Sequence, residues 1–267
     1  MNIVFSSDEN YAPHLSVCLY SILSHNYNIN FYILDLGIKE ESKSFIKSLV
    51  EKFNSNIEFI KISVDSFSNF PIYIDYISLA TYARLKLTDY LPQLEKVLYL
   101  DIDTIVNGSL IDLWDLDLNE YYIAAVADPF IESLNYKTIL GLDKNIYFNA
   151  GVLLIDCIKW KQYNIFDKSV KIIKDLSKKL QYQDQDILNL ILKDKVLLLD
   201  CRYNFMPSQL DFIKRDKVRK GIKITTPIVI YHYCGPKKPW HIDCTNFNCE
   251  LYAYLSNKLQ DKPAHWS

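Results

Sequence analysis

Apolar and polar positions along the chain switch between two periodicities, and the switching predicts an α/β order. Ile3-Val4-Phe5 is a short apolar run that stops at Ser6-Ser7-Asp8-Glu9-Asn10, as a buried strand does where it meets solvent. From about Pro13, Leu15, Cys18, Leu19, Ile22 and Leu23 recur at helical spacing, with proline where a first helical turn accepts it. Asn30 to Leu36 predicts a second strand and Ile57 to Ile62 a third. Between them, Glu40 to Phe53 predicts an amphipathic helix with Phe45, Ile46, Leu49 and Phe53 inward. This β-α-β-α-β order over the first 65 residues predicts parallel strands and crossover helices, the plan of a nucleotide-binding half.

Beyond it, Leu79 to Leu91 predicts a helix ended by Pro92 and carrying Arg84 and Lys86. Val97 to Leu100, continuing through Ile102, predicts a strand of a parallel sheet, apolar on both faces. Further strands are expected at Ile123 to Ala127, Tyr147 to Ile155, Val196 to Leu199 and Ile228 to Tyr233. Helices are expected over Ile158 to Leu180, from about Asp184 onward, and near Phe247 to Leu259. With no repeat, low-complexity tract or evident linker, one domain over 1–267 is expected.

Composition narrows the function classes. Thirty basic against 32 acidic residues, a formal net charge of −2, argue against a dedicated nucleic-acid binder. Six glycines leave no glycine-rich phosphate loop of either common kind, so any phosphate here must be met by metal and cationic side chains. Only four arginines occur: Arg84, Arg202, Arg215 and Arg219. The six cysteines (18, 157, 201, 234, 244 and 249) form no C-x-x-C pair and predict reduced thiols in a cytoplasmic protein. The amino terminus lacks a signal-peptide pattern, and no run approaches the ~18 apolar residues of a membrane span.

Against this background the stretch Tyr99-Leu100-Asp101-Ile102-Asp103-Thr104 gathers interest. Ligands of open α/β sheets bind beyond the carboxyl ends of strands, where Asp101 and Asp103 are expected. In strict strand geometry they would share one face and suit a hard divalent cation; the plain alternative is a solvated turn. Asp8, Asp128 and His232 also fall at predicted strand ends and could converge on the same rim. His232 would complete a mixed N/O metal site, or be an ordinary hydrogen-bonded histidine. The Gly235-Pro236-Lys237-Lys238-Pro239 loop that follows suits a diphosphate, or is a turn with solvated lysines. Gln181 to Asn189 packs amides and acids at a helix start, either as capping by Asp184 or as a ring of sugar-binding groups. Asp101-Ile102-Asp103-Thr104 also resembles the Asp-x-Asp-x-Thr of haloacid-dehalogenase phosphatases, but it lies about a hundred residues in and no Gly-Asp pair follows.

Four stretches in register carry a more extensive resemblance: Asp101-Ile102-Asp103, Tyr147 to Ile155, Tyr182 to Asn189, and His232 to His241. Together they resemble family 8 glycosyltransferases, and within that family the lipooligosaccharide α-1,4-galactosyltransferases of bacteria. The likeness runs from Ile3 nearly to Trp266. It implies a GT-A fold, a Rossmann-like mixed sheet flanked by helices, and retaining transfer of a hexose, galactose before glucose, from a UDP-sugar. Mn²⁺, with Mg²⁺ as second choice, would be held by Asp101, Asp103 and His232. Asp8 and Asn10 match positions around the uridine, Ile102 would lie along the ribose, and Gly235 and Lys238 match diphosphate contacts. Arg84, Asn149, Asp184 and Gln185 match groups around the donor sugar, and Asp128 resembles another sugar-pocket carboxylate.

The implied acceptor is a galactoside-terminated oligosaccharide or glycolipid, faced by residues around Tyr76 to Ser78 and Met206 to Asp211. Because an amide at Gln185 is a poor nucleophile, front-face attack is expected, with Asp128 and Asp184 as the alternative nucleophiles. The implied site of action is the cytoplasm, at most peripheral on the inner face of the bacterial inner membrane. The basic amphipathic tail of the family's galactosyltransferase is not expected within these residues. A non-catalytic or self-glycosylating UDP-sugar binder is the alternative of another class.

Overall fold

The structure is a computed structural model and describes residues 1–67, 70, 79–132, 134–214, 226–245 and 247–266. The acceptor-facing stretch Tyr76 to Ser78, together with Arg215 and Arg219, lies outside the described residues. Among the described residues, nine strands form two sheets: β1 (Asn2–Ser7), β2 (Asn30–Asp35), β3 (Asn56–Lys61), β4 (Lys96–Leu100), β5 (Thr104–Val106), β6 (Ile123–Ala125), β7 (Val152–Asp156), β8 (Val196–Leu198) and β9 (Ile230–His232). The main sheet has the order β3-β2-β1-β4-β7-β6-β8, and β5 pairs with β9 in a separate two-stranded ribbon.

β1, β2, β3 and β4 run parallel, as the apolar runs and their intervening helices imply. β7 enters antiparallel between β4 and β6, so the sheet is mixed rather than parallel around the Asp101 strand. Alternate side chains of the strands feed two cores, one on each face. Ile3, Phe5, Phe31, Ile33, Leu98 and Leu100 pack with α1 (Ala12–Leu23) and α2 (Glu40–Glu51) through Leu15, Leu19, Ile22, Ile46 and Val50. Val4, Val97, Tyr99, Leu153 and Ile155 face the other way, against Tyr82, Leu85, Trp160, Ile165, Ile187 and Leu188. Each such side chain, removed wholly from water, stabilises the fold by roughly 1.5–3 kcal/mol before entropy is counted.

Four expectations are corrected. Leu79 to Leu91 is a 3₁₀ segment, Leu79–Lys86, followed by one α-helical turn, Leu87–Tyr90. Asp101 and Asp103 do not project from one strand face: β4 stops at Leu100 and the pair flanks a turn before β5. Asp184 is not a cap but sits inside the Gln183–Leu192 helix, whose N-cap position is Tyr182. Cys244 and Cys249 are joined in a disulfide, their Cα atoms 6.6 Å apart, so not all six cysteines are thiols.

Candidate active site

The carboxyl ends of β1, β4 and β6 open into one cleft of about 810 Å³. Its walls include Asp8, Arg84, Asp101, Ile102, Asp103, Asp128, Asn149, Asp184, Gln185, His232, Gly235 and Lys238. Asn10 is not among them. It is exposed in the short 3₁₀ turn Glu9–Tyr11, and Tyr11 lines the cleft in its place. Asp8 caps that turn by accepting from the Tyr11 N–H at 3.2 Å.

Backbone register sets the heart of the site. The Leu100–Val152 pair ends the β4–β7 ladder, and the Asp101 N–H then donates to the Gly151 carbonyl at 2.8 Å. Thr104 pairs with His232 across the ribbon, and the Tyr233 N–H donates to the Asp103 carbonyl at 2.9 Å. Asp101, Asp103 and His232 are thereby brought together, each with one ligand atom within 4.8 Å of the others'. His232 Nε2 stands 3.3 Å from Asp103 Oδ1 and 3.8 Å from Asp101 Oδ2. Gly151 makes the convergence possible, since a Cβ there would fall 2.2 Å from His232 Cε1 and 2.8 Å from Asp101 Oδ2. Two carboxylates and an imidazole fit a hard-to-borderline cation such as Mn²⁺.

The chain's own cations already crowd this anionic corner. Arg84 Nη2 reaches Asp101 Oδ1 at 2.8 Å, and Lys238 Nζ pairs with Asp103 Oδ2. Burial works against the charge on Asp103, but the Lys238 ammonium outweighs it and the carboxyl is held well below the usual range. The same Asp103 keeps Lys238 a firm ammonium although burial opposes it. Arg84 is 2 % exposed, lies over the Tyr99 ring at 4.3 Å, and donates to the Ala150 carbonyl. Its Nε N–H points to the Thr81 carbonyl at 3.1 Å while lying 2.9 Å from Asp184 Oδ2. Burial pushes Asp184 up to about 6, with Arg84 acting in the opposite direction.

The sugar-side residues form a tight polar ring. Asp128 Oδ1 accepts from the N–H groups of Phe130 (3.0 Å) and Ile131 (3.2 Å), and Oδ2 accepts from Asn149 and Gln185, each at 3.2 Å. Burial raises the Asp128 pKa despite these four donors. Gln185 Oε1 in turn accepts from the Ala150 N–H at 3.0 Å. Behind the ring, buried Asp186 accepts from Tyr136 and Tyr147, each at 2.6 Å, and from the Tyr182 N–H at 2.7 Å, and burial lifts it to about 6. The loop bearing Lys238 is set by Gly235 at φ +96° and by Trp240, whose ring stacks on His14 at 3.7 Å. His14 and the amide of Asn204 escaped sequence reasoning, and Trp240 was named only as part of the His232 to His241 stretch, not as the anchor of this loop.

Residues 2–244 match the family model described as Glycosyl transferase family 8. The chain belongs to the family 8 glycosyltransferases. A putative glycosyltransferase of Haemophilus influenzae is 46 % identical over 272 residues, covering all of this chain and 82 % of that protein. The crystal structure of the galactosyltransferase LgtC with donor and acceptor sugar analogues superposes with a TM-score of 0.95 at 40 % identity, covering 100 % of this chain and 99 % of that one. The mixed sheet and flanking helices are those of the GT-A-type fold this family 8 structure displays. A lipopolysaccharide 1,2-glucosyltransferase of Escherichia coli is 31 % identical over 90 % of this chain and 73 % of that protein. No helix among the described residues is long and apolar enough to cross a membrane.

Proposed function

We propose that this glycosyltransferase moves a hexose, galactose in the first instance, from a UDP-sugar to a galactoside-terminated lipooligosaccharide or lipopolysaccharide glycan with retention of the α-configuration. The observation that carries the reading is the convergence of Asp101, Asp103 and His232 beside Lys238 at the strand ends. Mn²⁺ held by these three would supply Lewis-acid stabilisation of the departing diphosphate. Lys238, on the loop that begins at Gly235, would add a second positive charge for the same oxygens, and Asp8 and Ile102 would flank the path toward the nucleoside. The galactose preference draws on the galactosyltransferase LgtC, and the glucose alternative on the glucosyltransferase of Escherichia coli.

Front-face attack is the pathway the side chains favour. Both oxygens of Asp128 are engaged by two donors each, and Asp184 is held against Arg84. Gln185, tied at both amide ends, is a dipole at the reacting face rather than a nucleophile. Its role is to orient the sugar while the departing phosphate oxygen takes the acceptor's proton.

Asp103→Asn tests the reading. It is expected to abolish Mn²⁺-dependent transfer from UDP-galactose and UDP-glucose to lactose, products being read by linkage analysis, while circular dichroism stays unchanged. Full activity in that variant would overturn the metal assignment. A mass increase of the protein itself, without soluble product, would favour the self-glycosylating alternative.

A further inference from the structure

Asn204 belongs to none of the motifs above, yet it joins the two halves of the site. It follows the short 3₁₀ turn Cys201–Tyr203 and is completely buried, with 0 % exposure. Its Nδ2 donates to Asn149 Oδ1 at 2.9 Å, and its Oδ1 lies 2.9 Å from His232 Nδ1.

For an isolated amide the placing of nitrogen and oxygen is an assignment. Here the neighbours force it. The Gly151 N–H donates to Asn149 Oδ1 at 2.9 Å, which makes that atom an acceptor. The other end of Asn149 donates to Asp128 Oδ2, an atom that only accepts when ionised. Turning Asn204 over would set two oxygens against each other, so its NH₂ faces Asn149 and its carbonyl faces His232. A carbonyl needs a donor, so His232 Nδ1 carries a proton. Backbone bonds hold the partners in register, His232 N–H to the Phe205 carbonyl at 2.9 Å and Phe205 N–H to the Ile230 carbonyl at 2.8 Å.

We infer that Asn204 is a positioning residue that fixes His232 as its Nδ1–H tautomer, turning Nε2 toward Asp101 and Asp103 and tying the ring through Asn149 to Asp128 and Gln185. The inference rests on the reading of those three residues as one cation site and extends it by a specific hydrogen bond. Metal-bound histidines depend on such a partner, and its loss typically weakens metal binding by about tenfold to a hundredfold. A neutral amide does this without adding a third carboxylate to a corner that already holds two.

The test uses the metal-free full chain with ¹⁵N-labelled histidine, the His232 signals being identified by their loss in His232→Asn. Long-range ¹H–¹⁵N spectra are expected to show a protonated Nδ1 in the wild type. In Asn204→Leu the Nδ1 signal moves wholly or partly to that of a bare nitrogen, and Mn²⁺ affinity measured by EPR falls about tenfold to a hundredfold. A wild-type spectrum with a bare Nδ1 overturns the inference, as does a folded Asn204→Leu with unchanged tautomer and Mn²⁺ affinity. If Asn204→Leu does not fold, the wild-type spectrum still decides. A wild type that binds no Mn²⁺ refutes the cation site itself, a result separate from the position of the Nδ1 proton.

Discussion

Replacing Gly151 with alanine puts one methyl group against Asp101 and His232, two of the three candidate metal ligands. The added Cβ would sit 2.2 Å from His232 Cε1, 2.8 Å from Asp101 Oδ2 and 2.9 Å from His232 Nδ1. To reach an ordinary contact of 3.4 Å the imidazole must retreat by the difference between 3.4 and 2.2 Å, about 1.2 Å. Metal sites tolerate ligand-distance errors of only about 0.2 Å, so the displacement is several times what the site absorbs. Mn²⁺ affinity is therefore expected to fall by more than about a hundredfold, at least as far as removal of a hydrogen-bonded partner takes it. The overpacking should cost about 1–3 kcal/mol of stability, and each kcal/mol lowers Tm by roughly 2–4 °C in a chain of this size. The two effects separate in the assay: calorimetric Mn²⁺ titration reads the first and thermal melting the second. A variant that binds Mn²⁺ within twofold of wild type would refute the close-approach argument, whatever its Tm.

Asp186 should make stability pH-dependent, because its carboxyl is raised by burial from 3.8 to about 6. The folded chain then binds the proton more tightly, so this stability is fully present below the unfolded value and is lost as pH rises through about 6. The shift corresponds to on the order of 3 kcal/mol, and urea denaturation at pH 4 and 7 should show Asp186→Asn losing that dependence; equal slopes in both proteins would refute it. Thiol titration in denaturant without reductant should find four cysteines, Cys18, Cys157, Cys201 and Cys234, and six would exclude the Cys244–Cys249 bond. Trp240→Ala removes the stacked anchor on His14, worth roughly 0.5–1.5 kcal/mol, and should raise the KM for UDP-sugar several-fold with a smaller change in kcat. Unchanged donor kinetics would show that the loop is held by other contacts.

β1, β4, β6 and β7 were legible because each carries an apolar run that is buried almost whole, and β1, β2 and β3 keep the parallel order their helices require; the short β5 was not expected. Direction was not legible for β7, since Val152 to Ile155 reads the same whichever way it runs. The helix expected at Leu79 became 3₁₀ in a segment whose Arg84 is drawn inward by Ala150, Asp101 and Asp184, partners distant in sequence. Most candidate residues do line one cleft, because strand ends share a rim. Asn10 does not, since one residue's difference in a tight turn decides which side chain faces inward. Asn204 carried no signal: a buried amide is recognisable only by its partners, and these lie 55 and 28 residues away. The disulfide was hidden for a related reason, as the spacing of Cys244 and Cys249 fits a bonded or an open turn equally.

Lys238 has two anions to serve. As the chain stands, its ammonium neutralises Asp103; in the proposed transfer, the same ammonium would serve a diphosphate. On Asp103 it would compete with a divalent ion for that carboxylate, and an ion held by Asp103 would leave the ammonium for phosphate. Each ligand therefore removes an obstacle to the other, and thermodynamic reciprocity makes the two gains equal. The enzyme should respond to cation and nucleotide sugar as to a single joint ligand, weakly gripping either alone. Charge exchange at one lysine would then act as a filter that ignores free metal and free nucleotide and admits their complex.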